Sequence, residues 1–259
     1  MSWQPIDCHA HTTMSDGALT PEELVTAVRE RGVRPSIADH CSTDVRYAVS
    51  TLDGIREYLD ELDRHDVARG GEFCWHDSLW RELPDDLTAR FTHRLGSLHA
   101  LYPPGESRYI HMFGKALPEG LVPDQYMELH VASLEQLCGE MPVDILAHPT
   151  LLPLALRSLP AEDLWSEEHE ERLATALARS GIAFELSARY RAHERIVRTM
   201  IAYDVRLSLG SDGHTREQVG DLSVPLDLAR RLGARDQDLY DPFVHGARTS
   251  GTRVGGATV

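Results

Sequence analysis

The sequence lacks the features that would place the protein in a membrane or in a secretion pathway. No run approaches the ~18 consecutive apolar residues of a transmembrane helix, although 42% of the 259 residues are hydrophobic. The start of the chain, Met1 to Asp7, has neither the basic region nor the apolar core of a secretory signal. We therefore expect a cytoplasmic protein with no membrane partner.

Cysteine is scarce, and no two cysteines form a CxxC pair. The chain is too large to need disulfide bonds for its stability, so paired cysteines and a thiol-based metal site are both disfavoured. This scarcity and spacing are typical of reduced, buried thiols. The chain has four cysteines: Cys8, Cys41, Cys74 and Cys138.

Positive charge is also in deficit, since the formal net charge is −15. A chain this acidic is repelled by long nucleic acids and by anionic membrane surfaces. A small anionic substrate is still allowed, because divalent cations held by carboxylates would make the local field positive. The composition says nothing about the oligomeric state.

No repeat, low-complexity tract or linker interrupts residues 1–259, which we interpret as a single domain. Short apolar runs alternate with amphipathic helical runs, and this predicts an α/β fold with a parallel sheet closed into a barrel. An open doubly wound sheet is the alternative, but no glycine-rich phosphate-binding turn follows the first strand. The irregular, proline-containing segment 78–123 is predicted to be a lid or an insertion.

Histidines and an aspartate lie at the ends of several predicted strands. His9 and His11 are two residues apart, so on a strand they point to the same face, as do Asp212 and His214. His40, His99 and His148 each follow an apolar run. Imidazole and carboxylate groups gathered at the ends of several parallel strands predict a metal site for zinc, iron or manganese.

These motifs, in this order, resemble those of the polymerase and histidinol phosphatase (PHP) superfamily. Residues 15–25 are similar to its bacterial phosphoesterases, and residues 95–99 to its histidinol-phosphatase branch. Two positions depart from the pattern: Ala38 replaces the usual threonine, and Gly71-Glu72 matches the context of the bridging glutamate only in part. The resemblance rests on the following motifs: Asp7-Cys8-His9-Ala10-His11-Thr12, Ser15-Asp16-Gly17, Ala38-Asp39-His40, Ala147-His148-Pro149 and Gly210-Ser211-Asp212-Gly213-His214.

The resemblance implies a distorted (β/α)7 barrel that holds two or three divalent ions. The implied ligands fall into three groups that share one bridging carboxylate, Glu72. The first ion would be bound by His9, His11, Glu72 and Asp212. The second would be bound by Glu72, His99 and His148, and the third by Asp16, His40 and His214.

The chemistry that follows is hydrolysis of a phosphate monoester of a small molecule, such as histidinol phosphate, by a metal-bridging hydroxide. Glu72, Asp212 and His214 are the expected catalytic residues. Arg189 and Arg191 follow a predicted strand and are candidates for binding the phosphate, since guanidinium groups bind phosphate in a bidentate manner.

Three other functions stay open at this point. One is a phosphodiesterase or exonuclease that acts on short nucleotides, and another is an amidohydrolase that cleaves a C–N bond. The third is a non-catalytic module, which the intact set of nine ligand positions disfavours.

Overall fold

The computed structural model describes residues 4–103 and 109–246. The strands are short, and their bounds are β1 (Ser36–Ile37), β2 (His40–Cys41), β3 (Ala68–Arg69), β4 (Glu72–Cys74), β5 (Leu95–Ser97), β6 (Ala100–Leu101), β7 (Ile110–His111), β8 (Ile145–Leu146), β9 (Ala183–Ser187) and β10 (Leu207–Gly210). The helices are α1 (Pro21–Glu30), α2 (Leu52–Leu62), α3 (Leu79–Glu82), α4 (Asp85–Thr88), α5 (Pro123–Glu140), α6 (Ala161–Leu164), α7 (Glu167–Ser180), α8 (Glu194–Ala202), α9 (Ser223–Arg231), α10 (Pro242–His245) and a 3-10 turn, Asp236–Asp238.

Six strands form one parallel sheet in the order β10-β9-β8-β5-β4-β2. The pair β1 and β3 is also parallel and lies directly before β2 and β4 along the same two chain segments. Backbone hydrogen bonds from Gly70 to Ile37 and from Glu72 to Asp39 join the two pairs into one ladder.

The N-terminal segment, residues 6–11, closes this sheet into a barrel. On one side the Cys8 N–H donates to the Leu209 carbonyl of β10 at 2.9 Å, and beyond the end of β10 Ala10 forms a parallel bridge with Gly213. On the other side the Ala38 N–H donates to the Ala10 carbonyl at 2.9 Å. Seven parallel segments therefore form a ring, which confirms the predicted α/β barrel.

The core has two layers, as expected for a barrel surrounded by helices. Large apolar side chains such as Tyr58, Trp165 and Phe184 pack between the sheet and the helices. A second cluster of mostly small side chains comes from the barrel strands and from residues that flank them: Ile6, Cys8, Ala38, Ala68, Leu95, Ile145, Ala147, Ala183 and Tyr240. The polar side chains described below follow these residues along the strands.

Helix ends match the sequence signals. Thr20 and Glu23 form a capping box at the start of α1, with Pro21 at the first helical position. Ser166 caps α7, which ends at Gly181 in the left-handed conformation, with φ 65°.

The segment 78–123 combines α3, α4, barrel strand β5 and the antiparallel pair β6 and β7. Residues 104–108 lie outside the described part, so a lid in this segment stays a prediction. Among the described residues, no helix combines the length and the apolar character needed to cross a membrane.

Candidate metal centre

All nine residues predicted as metal ligands come together at the carboxyl ends of the barrel strands. We call them the metal centre. Their potential ligand atoms form four overlapping groups, within each of which the atoms lie no more than 4.8 Å apart. The groups are His9, Glu72 and His148; His40, Glu72 and His99; His9, His11 and Asp212; and His11, Asp16, His40 and His214.

Glu72 lies in the middle of the metal centre and is fully buried. Its Oε1 is 3.0 Å from His148 Nε2 and 3.3 Å from His99 Nε2. Its Oε2 is 2.6 Å from His40 Nδ1 and 3.4 Å from His9 Nε2. Oε2 is also 3.8 Å from His11 Nε2, so the two carboxylate oxygens contact different imidazoles, which is the arrangement of a carboxylate shared between two ions.

The N-terminal segment places two imidazoles beside Asp212. His9 Nε2 is 3.1 Å from His11 Nε2, which is 3.4 Å from Asp212 Oδ1. His9 Nδ1 donates to Glu185 Oε1 at 2.8 Å, since an ionised carboxylate can only accept. The lone pair of His9 Nε2 is therefore directed into the metal centre.

One side of the metal centre is open to solvent. His9, His11 and Glu72 have no exposed side-chain surface, whereas Asp16 is 32% exposed and His214 is 19% exposed. Asp16 Oδ1 is 3.4 Å from His214 Nε2 and 3.7 Å from His40 Nε2. A substrate can therefore reach the metal centre from the Asp16 side.

The electrostatics favour an ionised Glu72 together with neutral His11 and His99. Burial opposes ionisation of Glu72, but the imidazoles of His40, His99 and His9 outweigh it and hold the pKa of Glu72 well below its ordinary value. Burial lowers the pKa of His11 to about 3, with a further contribution from His40, and burial also lowers the pKa of His99. Metal binding requires these same protonation states.

Two imidazoles respond in the opposite direction. Burial lowers the pKa of His9, but Glu185 and Glu72 outweigh it and raise the pKa well above its ordinary value. Burial also lowers the pKa of His40, but the Glu72 carboxylate outweighs this effect and raises that pKa to about 8. Both pKa shifts have the same cause, because nearby carboxylates stabilise a positive charge on these two imidazoles.

Three buried side-chain atoms of the metal centre have no hydrogen-bond partner in the described part of the chain. They are His11 Nδ1, His40 Nδ1 and Glu72 Oε2. His40 Nδ1 and Glu72 Oε2 are close together, yet their geometry is not that of a hydrogen bond. A divalent cation accepts electron pairs from both kinds of atom, so the residues present fit zinc, iron or manganese.

Two residues of the metal centre have unusual backbone conformations. His148 has φ 29° and Asp212 has φ 49°, a region that non-glycine residues seldom occupy. Such conformations persist where the surroundings fix them, and they are concentrated at functional sites. Both residues lie just beyond barrel strands, where the turn directs the side chain toward the metal centre.

Three buried carboxylates outside the predicted set fix the segments that carry it. Asp7 accepts from the Ser211 N–H at 2.8 Å, and Asp39 accepts from the Thr12 N–H at 2.7 Å. Glu185 contacts His9 and also accepts from the His148 N–H. Asp7 and Asp39 each precede a histidine within one of the motifs, a proximity that could have indicated their roles.

The candidate arginines differ in their placement. Arg189 is 45% exposed, and its Nη1 is 3.2 Å from His214 Nδ1 and 3.9 Å from Asp212 Oδ1. Arg191 is exposed, and it makes no contact with the metal centre among the described residues. The structure therefore brings Arg189, and not Arg191, to the open side.

Sequence patterns did not single out Arg157, which packs on two aromatic rings beside the metal centre. Its guanidinium carbon is 5.3 Å from the ring centre of Tyr190 and 5.6 Å from that of Phe113. These rings in turn lie beside the metal centre. The ring centre of Tyr190 is 5.5 Å from that of His148, and the ring centre of Phe113 is 6.4 Å from that of His99. No local motif marks Arg157, because its position depends on residues distant in the sequence.

The fold and the metal centre together define a parallel α/β barrel with a buried His/carboxylate cluster able to bind metal. A solved structure with this fold is histidinol phosphate phosphatase from Lactococcus lactis subsp. lactis Il1403, complexed with zinc, L-histidinol and phosphate. The TM-score is 0.67 at 15% identity, and the match covers 90% of this chain and 95% of that chain. The two proteins therefore share a fold, in agreement with the fold that the resemblance implied.

The other comparisons add little. An uncharacterized protein matches with a TM-score of 0.37 at 12% identity, covering 90% of this chain and 70% of that chain, and it supports no conclusion. No protein-family model matches the sequence, and no curated protein matches it.

Proposed function

We propose that this chain is a metal-dependent phosphatase that hydrolyses a phosphate monoester of a small molecule. The observation that carries the proposal is the buried Glu72 carboxylate, whose Oε1 contacts two imidazoles and whose Oε2 contacts three others. We assign two or three divalent ions of zinc, iron or manganese to the four ligand groups around it. Bound ions of this kind lower the pKa of water to about 7 and offset charge on phosphoryl oxygens.

The residues on the open side supply the rest of the chemistry. Arg189 stands beside Asp212 and His214, so its guanidinium is placed to bind and orient phosphoryl oxygens. Arg157, held by the Leu152 and Met112 carbonyls, lies over the same Tyr190 ring as Arg189 and offers a second guanidinium. Asp212 Oδ1 is 3.7 Å from His214 Nδ1, and we assign this pair to accept the proton of the attacking water.

Histidinol phosphate is the first substrate to test. The Lactococcus protein with the same fold is complexed with L-histidinol and phosphate. In this chain the rings of Phe113 and Tyr190 flank the metal centre and offer flat surfaces to an organic leaving group. The net charge of −15 disfavours long polynucleotides, so we propose no partner beyond a small phosphorylated molecule.

An amidohydrolase function is less well supported. Barrels of that class usually bridge their metals with a modified lysine, and the one lysine of this chain, Lys115, is exposed. Lys115 follows β7 and belongs to none of the four ligand groups. A carboxylate bridge by Glu72 favours phosphoester chemistry.

The test is phosphate release by protein whose metal content is measured. The substrates are histidinol phosphate, sugar phosphates and nucleoside monophosphates, with a phosphodiester and an amide as comparison substrates. We expect release from at least one monoester, at a rate that follows bound metal. Activity on the amide alone, or on the diester alone, would overturn the proposal.

Two variants link the activity to the metal centre. Glu72→Gln keeps the side-chain shape but removes the charge between the imidazoles, so bound zinc and activity should fall together, by about 100-fold or more. His65→Gln is the control, because His65 contacts Glu61 on α2, away from the metal centre. Full activity in Glu72→Gln would contradict the role of Glu72.

A further inference from the structure

We propose that the leaving group of the substrate carries a positively charged amine, and that Asp44 and Tyr109 bind this amine. The inference rests on the proposed function and deepens it, because it names the class of phosphate monoester. Its basis is a series of three neighbouring rings that begins beside the metal centre and ends at a carboxylate.

The three rings come from β7 and the residues beside it: Phe113, His111 and Tyr109, which we call the aromatic row. The ring centre of Phe113 is 6.4 Å from that of His99, and it is 5.4 Å from that of His111. The ring centre of His111 is in turn 6.3 Å from that of Tyr109. Phe113 is 46% exposed and Tyr109 is 41% exposed, so a ligand can contact both rings.

The outer end of the aromatic row lies beside Asp44. The charge of the Asp44 carboxylate, together with a hydrogen bond to it, raises the pKa of Tyr109. Asp44 Oδ2 accepts from His76 Nε2 at 2.9 Å, and the backbone N–H of Asp44 donates to Ser42 Oγ at 3.1 Å. Since the Asp44 side chain is still 39% exposed, it is held in place and remains open to a ligand.

Charge changes sign along the aromatic row. The Arg157 guanidinium carbon is 5.6 Å from the ring centre of Phe113, which makes the inner end positive. His111 Nδ1 accepts from the Phe113 N–H at 3.1 Å, so this imidazole is neutral. Asp44 makes the outer end negative, and no lysine or arginine of the described residues forms an ion pair with it. A molecule with phosphate at one end and an ammonium group at the other matches this distribution.

The groups at the outer end are those that recognise organic cations. The face of an aromatic ring attracts an ammonium group, and a carboxylate beside the ring pairs with it. A leaving group with a carboxylate or a second phosphate is instead repelled by Asp44. The aromatic row therefore favours phosphate esters of amino alcohols over those of sugars or hydroxy acids. Histidinol phosphate is one member of the favoured class.

The experiment compares aminoalkyl phosphates of increasing chain length with alkyl phosphates of the same length, as substrates of the zinc-loaded protein. At the length that reaches Asp44, kcat/KM should favour the amine by about 3- to 10-fold, because the ion pair and the ring contact are both partly exposed. The preference should appear in KM. Calorimetry with the corresponding non-hydrolysable phosphonates measures the same preference without turnover.

Two variants test whether the preference comes from the outer end of the aromatic row. Asp44→Asn keeps the size of the side chain but removes its charge, so the ratio of the two kcat/KM values should fall toward one. Tyr109→Leu removes the ring and should also lower this ratio, and it serves should Asp44→Asn fold poorly. Asp53→Asn is the matched control, since Asp53 is 90% exposed on α2 and pairs with Arg56, and the ratio should not change.

The outcomes separate the inference from the proposed function. Equal kcat/KM values at every chain length, or an unchanged ratio in both variants, would overturn the inference while phosphatase activity persists. Selective binding of aminoalkyl phosphonates by a protein that hydrolyses no phosphate ester would overturn the proposed function alone. A protein that neither hydrolyses these esters nor prefers the aminoalkyl phosphonates would overturn both.

Discussion

At the scale of single residues, Gly210 is the position where the metal centre has the least space. A Cβ added there would collide with Glu185 Oε1 and would lie 2.9 Å from His9 Cβ. Gly210→Ala should therefore displace Glu185 from His9, with a loss of about 1–3 kcal/mol in the free energy of unfolding. Zinc affinity should fall 10- to 100-fold, because His9 loses its carboxylate partner. Denaturant unfolding and zinc titration measure the two effects.

Gly139 provides the control for this substitution. It lies on α5, and an added Cβ would have no atom within 4 Å. Gly139→Ala should stabilise the helix by up to about 1 kcal/mol and leave zinc affinity unchanged. Unaltered zinc affinity in Gly210→Ala would contradict the supporting role assigned to Glu185.

The histidines of the metal centre were predictable because their signal is local. A same-face pair such as His9 and His11 can be recognised within one strand, and His148 follows an obvious apolar run. Glu185 was not predictable, because its partners His9 and His148 lie 176 and 37 residues away. Within its own strand, Glu185 has the pattern of an ordinary polar residue at a sheet edge.

At the scale of elements, the loop of residues 12–16 depends on Asp39. The Asp39 carboxylate accepts from the Thr12 N–H and from the hydroxyls of Thr12 and Ser15. Asp39→Ala would leave these donors without their partner, and the free energy of unfolding should fall by about 1–3 kcal/mol or more. Asp16 would also lose its fixed position, so fewer zinc ions should bind per chain. Urea unfolding of the zinc-free protein and zinc stoichiometry measure these effects.

Asp53→Ala is the comparison for Asp39→Ala. Asp53 is 90% exposed on α2 and pairs with Arg56 in the same helix, so its loss should cost no more than about 0.5 kcal/mol. Equal urea midpoints for the two variants would show that Asp39 does not hold the loop.

Strand β4 shows where the sequence pattern fails. Gly70 and Gly71 precede Glu72, and glycine weakens a strand signal. The structure requires glycine at both positions. A Cβ at Gly70 would lie 2.7 Å from the His93 ring, and a Cβ at Gly71 would lie 2.8 Å from the Phe91 ring. These rings come from a later part of the chain. The element that carries Glu72 is therefore specified by tertiary packing.

At the scale of the whole molecule, ring closure and metal binding depend on the same segments. Residues 6–11 hydrogen-bond to residues 34–38 on one side and to residues 209–213 on the other. The same residues carry His9 and His11, and the neighbouring segment carries Asp212. An ion that joins these side chains therefore joins the first and last strands of the barrel. The closed sheet was predicted from the alternation of apolar runs with amphipathic helical runs, a pattern that extends along most of the chain.

Metal removal should consequently lower the thermal stability of the entire barrel. A ligand present at 100 times its Kd stabilises the native state by about 2.7 kcal/mol, which corresponds to roughly 5–10 °C in Tm per ion for a domain of this size. Calorimetry of zinc-free and zinc-loaded protein measures the shift, and each form should unfold in one transition. In Glu72→Gln the shift should shrink, because the carboxylate shared by two ligand groups is lost. Equal Tm values for the two forms, with zinc still bound to the native protein, would contradict this coupling, since the ligands would then bind metal without linking the strands that close the barrel.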